Sequence, residues 1–350
     1  MRPTLRPALH VLLLAVTLMS ANPAAPQVFD FEELSGWAED DHLAALHTFR
    51  ASCDLIKRPD WQPLCRLARD VDDNPAAARQ FFELLFKPTL IGTPPALFTG
   101  YYEPVLQGSP IRTARFAWPI YRRPPELGDG VVWHDRATIE SGILSGRGLE
   151  IAWLDDPVEV FFLHIQGSGR IQMPDGSTIR VGYAGRNGYA YRSVGQELVR
   201  RGIFTQSQVS AETIRQYVRA DPATGMALLN LNPSYVFFRK LPKLGADHGP
   251  IGAMGRSITT LRSIAIDPDY VPLGAPVWVE KSGAGPLHRL MIAQDTGGAI
   301  KGAQRADIFY GTGQQAGRAA GSVKDGGRML QLLPIDRAFA MAAGSSDGGG

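Results

Sequence analysis

The spacing of apolar side chains changes once along the chain, close to Leu97. Before that point, residues 38–90 carry apolar positions at the three- and four-residue spacing of a helix. Asp40 or Asp41 can cap the first helix. Its predicted buried stripe is Leu43, Leu46, Phe49, Cys53 and Ile56.

A further helix start is predicted at Asn74-Pro75, because asparagine caps helices and proline suits the first helical position. Its predicted buried face is Phe81, Phe82, Leu85 and Phe86. Pro88 is expected to end this helix. The first part of the chain is therefore predicted to be helical.

Beyond Leu97, short apolar runs alternate with turn residues. Residues 171–181 predict a hairpin around Asp175-Gly176, and the apolar run 158–165 predicts a strand. Further strands are expected at 235–238, 263–266, 277–280, 290–293 and 308–310, and helices at 193–201, 210–220 and 222–230. With 38 glycines among many short strands, the pattern favours barrels over a doubly wound sheet.

The N-terminus has the pattern of a secretory signal peptide, predicted over residues 1–25. Arg2 and Arg6 precede an apolar stretch over 11–19, which small residues follow. That stretch is shorter than the ~20 residues of a spanning helix, although a signal anchor remains an alternative. No cysteine lies near the cleavage region, so a lipid-bearing N-terminal cysteine is not expected. Residues 344–350 are expected to be a disordered tail.

Charge and cysteine content narrow the class of protein. The 350 residues carry a formal charge of +2, and two positive charges lie in the predicted leader, so no nucleic-acid surface is indicated. Cys53 and Cys65 are the only cysteines. In an exported protein a disulfide is the simplest interpretation, and two buried free thiols are the alternative.

Candidate chemistry centres on Asp295 and Asp307, which lie 12 positions apart beside strand-like runs with glycines between them. Carboxylates at strand ends on a glycine-lined surface suit acid–base chemistry on a polar substrate. The alternative is that both are turn-forming aspartates. Asp295-Thr296-Gly297 resembles an aspartic protease motif, but the chain has no second copy to share the proton.

Other motifs carry less chemistry. Residues 311–317 approximate a dinucleotide loop, but the glycines that follow predict a turn and not a helix. The seven histidines are scattered without metal-ligand spacing. Ser168 would need a base to act as a nucleophile, and only His164 is near in sequence.

Aromatic and polar residues alternate in two segments, 98–104 and 186–192. Aromatic faces beside amide and guanidinium groups suit sugar rings. Ordinary turn and core tyrosines are the alternative for either segment alone.

Together, these segments resemble the membrane-bound lytic murein transglycosylase A (MltA) family. The resemblance covers about residues 95–335, and its last part is similar to the three-aspartate (3D) domain, with Asp267, Asp295 and Asp307. The matching segments are 98–104 (FTGYYEP), 162–170 (FLHIQGSGR), 185–192 (GRNGYAYR), 232–238 (NPSYVFF), 249–255 (GPIGAMG), 263–274 and 294–311.

The resemblance implies a mainly β protein with two β-barrel domains and a groove between them. The larger, a double-psi β-barrel with added N-terminal helices, is expected from residues 30–106 plus 242–340. The smaller barrel is the insert 107–241. Peptidoglycan glycan strands are the implied partner, with other cell-wall enzymes as candidate partners. Neither a metal nor a cofactor is expected.

The activity implied by the resemblance is cleavage of the β-1,4 bond between N-acetylmuramic acid and N-acetylglucosamine, leaving a 1,6-anhydromuramoyl end. Asp307 matches the catalytic acid, Asp295 is expected to support it, and Asp267 to stabilise a turn. Expected substrate contacts are Thr99, Tyr101, Tyr102, Gln166, Ser168, Gly169, Arg170, Tyr189 and Gln294.

The resemblance also implies export to the periplasm of a Gram-negative bacterium. Many relatives are outer-membrane lipoproteins, and this sequence lacks the lipid-bearing cysteine, so membrane attachment is left open. The alternatives for function are a hydrolase of the same bond and a non-catalytic wall-binding module.

Overall fold

The computed structural model describes residues 25–283 and 285–344. Within them the chain is mainly β, as predicted, with two separate sheets of nine and six strands and several helices. Residues 1–24 of the predicted signal peptide and residues 345–350 of the predicted disordered tail lie outside the described residues. Among the helices that the structure describes, none is long and apolar enough to span a membrane.

In the described ranges, ten α-helices and fifteen strands are numbered in chain order. The helices are α1 (His42–Arg50), α2 (Gln62–Asp70), α3 (Pro75–Leu85), α4 (Arg136–Thr138), α5 (Pro157–Gln166), α6 (Val194–Arg200), α7 (Ala211–Ala220), α8 (Pro222–Leu229), α9 (Gly313–Gly321) and α10 (Ile335–Gly344). Short helical turns lie at Phe31–Glu33, Trp37–Glu39, Cys53–Leu55 and Ile139–Ile143.

The strands are β1 (Gln27–Val28), β2 (Phe86–Leu90), β3 (Leu97–Glu103), β4 (Val105–Ser109), β5 (Trp118–Tyr121), β6 (Glu150–Leu154), β7 (Ser168–Gln172), β8 (Thr178–Arg186), β9 (Val236–Lys240), β10 (Ser263–Ile266), β11 (Pro276–Lys281), β12 (Leu287–Thr296), β13 (Arg305–Thr312), β14 (Lys324–Asp325) and β15 (Gly327–Pro334).

The predicted N-terminal helices are confirmed as α1 and α3, and they cover one face of the nine-stranded sheet. However, α1 ends at Arg50, so Cys53 and Ile56 of the predicted stripe lie beyond it. Asp41 and Asn74 cap α1 and α3 through their side chains. Phe49, Phe82 and Phe86 are fully buried between these helices and the sheet. Burying such a side chain stabilises the fold by about 1.5–3 kcal/mol. A disulfide joins Cys53 to Cys65 and so ties the end of the first helical segment to α2.

The two sheets are built from different parts of the sequence. The nine-stranded sheet has the order β1-β2-β15-β11-β12-β10-β13-β3-β14, so it combines strands from both ends of the described chain. The six-stranded sheet, β5-β6-β4-β7-β8-β9, comes from the middle of the chain. The hairpin around Asp175-Gly176 is confirmed as β7 and β8, and the three helices predicted between 193 and 230 are confirmed as α6, α7 and α8.

The strand predicted at 158–165 is wrong, because this segment forms α5. Asp156 caps the helix, Pro157 occupies its first position, and Gly167 ends it with a φ of 75°. The apolar run is buried on several sides of the helix, so it shows no helical stripe in the sequence. The residues at the two ends, Asp156 and Gly167, indicated a helix, whereas the apolar run alone suggested a strand.

Two other expectations need correction. Residues 86–90 form β2 and not the end of a helix, with Pro88 inside the strand. The turn expected at 311–317 is also wrong, since α9 begins at Gly313. Small residues let this helix pack closely on β3: a Cβ at Gly100 would lie 2.7 Å from the Ala320 Cα.

Candidate active site

Four adjacent strands place Asp295 and Asp307 on one row of the nine-stranded sheet. Ala265 of β10 pairs with Asp295 of β12 on one side and with Asp307 of β13 on the other. Asp307 in turn pairs with Thr99 of β3. The spacing of strands puts the two aspartate backbones roughly 10 Å apart. Strand pairing therefore brings together residues that are 12 and about 200 positions apart in the chain.

A β-bulge at Gln294 sets the direction of Asp295. The pairing of β10 with β12 runs from Ile264–Ala293 directly to Ala265–Asp295, so Gln294 is the extra residue. A bulge of this kind redirects the side chains that follow it. The Gln294 side chain is buried, where Ser263 donates to it and it donates to Ser52 over 2.7 Å.

Asp307 is partly exposed and has one hydrogen-bond donor among the described residues. The Thr99 hydroxyl donates to Asp307 Oδ1 over 2.6 Å. Burial raises the pKa of Asp307 to about 6, and the negative charge of Asp295 acts in the same direction. The Thr99 hydrogen bond and the Arg305 charge oppose that rise. A carboxyl group with this pKa can both donate and accept a proton near neutral pH.

Asp295 is more heavily hydrogen-bonded. Its Oδ1 accepts from the backbone N–H groups of Ala253 and Thr296, each over 2.9 Å, and its Oδ2 accepts from the Tyr101 hydroxyl over 2.9 Å. Burial raises the pKa of Asp295, while these hydrogen bonds act in the opposite direction. Three donors hold the Asp295 side chain in one orientation, so its carboxylate provides a negative charge at a fixed position beside Asp307.

The loop over residues 249–258 covers this part of the site. Met254 N–H donates to the Gln294 carbonyl at the bulge, next to the Ala253 contact with Asp295. A Cβ at Gly252 would lie 2.7 Å from the Gln294 carbonyl oxygen, so only glycine allows this approach. Arg256 pairs with Asp54, which attaches the loop to the N-terminal helical segment. The close approach of the loop to Gln294 and Asp295 thus explains Gly252.

A small apolar cluster accounts for the burial around the carboxyl groups. It consists of Tyr101, Ile258, Ala265, Ile300 and Phe309. Phe309 and Tyr101 pair across β13 and β3, and their rings lie 5.3 Å apart. These side chains exclude water from one side of the aspartates, which disfavours their charged forms.

Three consecutive residues at the end of β3 make different contacts. Tyr101 reaches Asp295, as described above. The Tyr102 backbone N–H donates to the Gln166 side chain over 3.0 Å, and the Tyr102 hydroxyl accepts from Arg215. The Glu103 carboxylate is 1% exposed and accepts from Arg170, Arg180 and Thr312. The chain thus leaves the nine-stranded sheet through a segment bonded to the six-stranded sheet and its helices.

The predicted contact residues separate into two groups. Thr99 and Tyr101 lie with Asp295 and Asp307. Gln166 and Arg170 lie at the connection between the sheets, and Arg170 donates to Glu103 over 2.8 Å and to the His248 carbonyl over 3.1 Å. Tyr189 is half-buried in the loop after β8, and among the described residues no hydrogen bond joins it to the aspartates.

Three of the expected substrate contacts are buried in the described structure, and they stay predictions. Gln294 is fully buried and hydrogen-bonded inside the protein, as described above. Ser168 is only 6% exposed within β7. Gly169 is buried where a Cβ would lie 2.6 Å from the Leu163 side chain, so close packing explains this glycine. His164 cannot serve Ser168 as a base, because His164 is buried against Arg136, with which its Nδ1 makes a 3.0 Å contact.

Asp267 lies in the turn after β10 and is 2% exposed. It accepts from Lys301 Nζ and from the Gly302 backbone N–H, each over 2.9 Å, and the hydrogen bond from Gly302 helps to lower its pKa against the effect of burial. These contacts tie its turn to the loop between β12 and β13. That loop leads directly to Asp307.

A cavity of about 240 Å³ lies on the other face of β3 from Thr99 and Tyr101. Because side chains alternate along a strand, Gly100 and Tyr102 face this cavity, which α5, α7 and α9 also line. It is therefore separate from the two aspartates.

Sequence reasoning missed Arg305 and Glu103. Arg305 Nη2 donates to the Thr99 hydroxyl over 2.8 Å, and Glu103 bonds to both sheets. Both residues stood inside segments that carried the family resemblance. A charged residue two positions before Asp307 and another directly after the tyrosine pair were the available signals.

The fold and the site define a two-sheet β protein with an aspartate pair suited to acid–base chemistry. Comparison with known proteins specifies the family. Residues 97–239 match the MltA specific insert domain, and residues 262–333 match the 3D domain. The chain belongs to the membrane-bound lytic murein transglycosylase A family.

Relatives extend over most of the chain. Membrane-bound lytic murein transglycosylase A of Vibrio cholerae is 36% identical over 248 residues, which are 67% of this chain and 65% of that protein. The crystal structure of a membrane-bound lytic murein transglycosylase from Agrobacterium tumefaciens is 33% identical with a TM-score of 0.82, covering 91% of this chain and 100% of that one. E. coli MltA with bound chitohexaose is 30% identical with a TM-score of 0.69, covering 84% and 90%.

Proposed function

We propose that this protein is a peptidoglycan lytic transglycosylase. It would cleave the β-1,4 bond between N-acetylmuramic acid and N-acetylglucosamine and form a 1,6-anhydromuramoyl end. The observation that carries the proposal is the partly exposed Asp307 carboxyl, whose pKa burial raises to about 6. Membership of the family and the chitohexaose bound to E. coli MltA support a glycan as the substrate class.

The chemistry needs only one carboxyl because the substrate supplies the nucleophile. Protonated Asp307 donates its proton to the glycosidic oxygen as the bond to C1 of the muramic acid breaks. The C6 hydroxyl of the same sugar attacks C1, and the Asp307 carboxylate takes the hydroxyl proton. Asp307 thus ends the cycle protonated, no water is consumed, and no second carboxylate acts as a nucleophile.

Asp295 would support this step through its charge and position. Its carboxylate disfavours a second negative charge on Asp307 and so favours the protonated acid before cleavage. The same charge would stabilise positive charge that develops on the sugar ring. Tyr101 and the loop over residues 249–258 hold Asp295 in place for both roles.

The finer architecture belongs to this proposal. We propose that both sheets close into barrels, the larger of double-psi type from residues 30–106 and 242–340, with 107–241 inserted. The glycan strand would lie beside Asp307 between the two sheets, where Arg170 and Tyr189 are candidate contacts. We also propose an exported, periplasmic protein, consistent with the names of its relatives.

Digestion of purified sacculi tests the proposal. The wild-type protein should release muropeptides with anhydro ends, which mass spectrometry distinguishes from hydrolysis products because hydrolysis adds water. Asp307→Asn should lose activity by at least about a hundredfold. Asp72→Asn is the matched control, since Asp72 is exposed and makes no side-chain hydrogen bond among the described residues.

Each rival function predicts a different result. A hydrolase of the same bond would give reducing ends that contain an added water. A non-catalytic wall-binding module would bind sacculi without releasing fragments, and Asp307→Asn would leave this binding unchanged. Either result would contradict the proposed function.

A further inference from the structure

Arg305, Thr99 and Asp307 form a chain of two hydrogen bonds. Arg305 Nη2 donates to the Thr99 hydroxyl oxygen over 2.8 Å, and that hydroxyl donates to Asp307 Oδ1 over 2.6 Å. The register of the strands explains the arrangement. Thr99 is the direct partner of Asp307, and Leu97 is the direct partner of Arg305, so the three side chains lie together at the start of β13.

The guanidinium group of Arg305 is itself held in place. Its Nη1 donates to the Ala306 carbonyl over 2.6 Å and to the Leu97 carbonyl over 3.3 Å. Both acceptors belong to the backbone of β13 and β3. Arg305 is therefore fixed by the same pair of strands that carry Asp307 and Thr99.

The available protons determine which atom donates in the hydrogen bond between Thr99 and Asp307. A guanidinium group only donates, so the Thr99 oxygen must accept from Arg305. Threonine has one hydroxyl proton, and Asp307 Oδ1 is the only acceptor in contact with it among the described residues. If Asp307 instead donated from Oδ1 to Thr99, the threonine proton would be left without a partner. The arrangement thus favours a proton on Oδ2.

Oδ2 is the other oxygen of the same carboxyl group. Among the described residues no hydrogen-bond partner contacts it, whereas Asp307 as a whole keeps some exposure. An acid must present its proton to the substrate within hydrogen-bond distance. An oxygen without a protein partner meets that requirement, and Oδ1 does not.

We propose that Arg305 and Thr99 are positioning residues that reserve Asp307 Oδ2 as the oxygen that donates and then recovers the proton. The inference rests on the proposed function and deepens it. In the forward step the proton leaves Oδ2 for the glycosidic oxygen as the C1–O bond breaks. The proton of the C6 hydroxyl then returns to Oδ2 as the new C6–O–C1 bond forms. Thr99 donates to Oδ1 throughout, and no other reactant is needed.

Variants at Thr99 test this directly. Thr99→Val keeps the shape but removes the hydroxyl, and Thr99→Ser keeps the hydroxyl. Thr99→Val should lower kcat on sacculi about tenfold, with KM within about twofold, because the acid is no longer oriented. Thr99→Ser should restore most of kcat. A side chain that only filled space would not respond to the hydroxyl in this way.

A titration gives a readout that does not depend on activity. Selective ¹³C labelling of aspartate carboxyl groups, with Asp307→Asn used to assign the signal, reports the pKa of Asp307. Thr99→Val removes a donor to the carboxylate, so the pKa of Asp307 should move upward from about 6. Thr99→Ser should return it to the wild-type value.

Variants at Arg305 form the second part of the test, with Arg305→Met removing the charge and Arg305→Lys as the conservative variant. Arg305→Met should also lower kcat. In the Thr99→Val background it should lower kcat by less than about twofold, because two residues that act through one hydrogen-bond chain are not additive.

Opposite results would overturn the inference. One is a Thr99→Val protein whose kcat and Asp307 pKa both equal those of the wild type. Another is a Thr99→Ser protein with a kcat as low as that of Thr99→Val. The third is a double variant in which the losses of kcat from Thr99→Val and Arg305→Met are fully additive. Failure of the proposed function looks different, because the wild-type protein itself would then release reducing ends that contain an added water, or no fragments at all.

Discussion

Asp295 and Asp307 both pair with Ala265, one from each side of the short strand β10. One short strand therefore separates the two carboxyl-bearing strands, and in the row of the aspartates it contributes the small residue Ala265. The negative charge of Asp295 is close enough to raise the pKa of Asp307, and Asp295 is in turn fixed by three hydrogen bonds. The two carboxyl groups differ: three donors hold that of Asp295, whereas Asp307 Oδ2 has no hydrogen-bond partner in the described part of the chain.

The rate should depend on pH through Asp307. The acid must be protonated to donate, and its pKa is about 6, so kcat/KM should fall about tenfold per unit as pH rises above that value. Asp295→Asn removes a charge that raises this pKa, so the falling limb should move to lower pH. The measurement is the release of muropeptides across a pH series. A flat profile through pH 6 would contradict the role of Asp307.

Tyr101→Phe should reduce kcat about tenfold while KM stays within about twofold. The change removes the hydroxyl that donates to Asp295 Oδ2 over 2.9 Å but keeps the ring packed against Phe309. Steady-state kinetics on sacculi check the result. Tyr270→Phe, at a side chain that is 49% exposed, is the control and should match the wild type. Equal activity of all three proteins would show that Asp295 needs no support from Tyr101.

Gly252→Ala should disable the site with little loss of overall structure. The added Cβ would lie 2.7 Å from both the Gln294 carbonyl oxygen and the Ile258 side chain, so the loop must move away from Asp295. Activity should fall by more than about tenfold, since displacing a catalytic group by 1 Å can cost about a hundredfold. Gly321→Ala is the control, because its Cβ would meet nothing within 4 Å. Full activity of Gly252→Ala would show that the position of this loop does not matter for the reaction.

Glu103→Gln should destabilise the protein by about 3 kcal/mol. It removes one partner of a buried charged cluster and leaves Arg170 and Arg180 without their carboxylate. Urea unfolding measures the difference. Glu126→Gln, which removes an exposed pair with Arg147, should leave the unfolding midpoint unchanged. Similar midpoints for both variants would mean that the Glu103 contacts do not hold the two sheets together.

The sequence predicted elements well where short-range signals agree. Caps and apolar stripes located α1 and α3, and Asp175-Gly176 located the hairpin of β7 and β8. The run 158–165 misled because a helix buried on most sides has no stripe that distinguishes it from a buried strand. Its capping residues, Asp156 and Gly167, carried the correct information.

The site was predictable only in part. The strand-like runs and glycines around Asp295 and Asp307 singled out both residues in the sequence. The strand pairing that places them beside Ala265, however, involves separate segments of the chain. The bulge at Gln294 illustrates the difficulty, because one extra residue shifts the pairing of β12 with β10 and redirects the side chains that follow. Gln294 stands beside Asp295 in the motif, yet it bonds to buried serines.

The most direct test of the central claim is the origin of the oxygen at the new sugar end. Sacculi are digested with the wild-type protein in ¹⁸O-labelled water, and the masses of the released muropeptides are measured by mass spectrometry. If the C6 hydroxyl attacks C1 while Asp307 transfers the proton, the products carry anhydro ends and no label. Products that carry one ¹⁸O atom each would show that water attacks instead, and the account of Asp307 as the acid and base of an intramolecular reaction would be wrong.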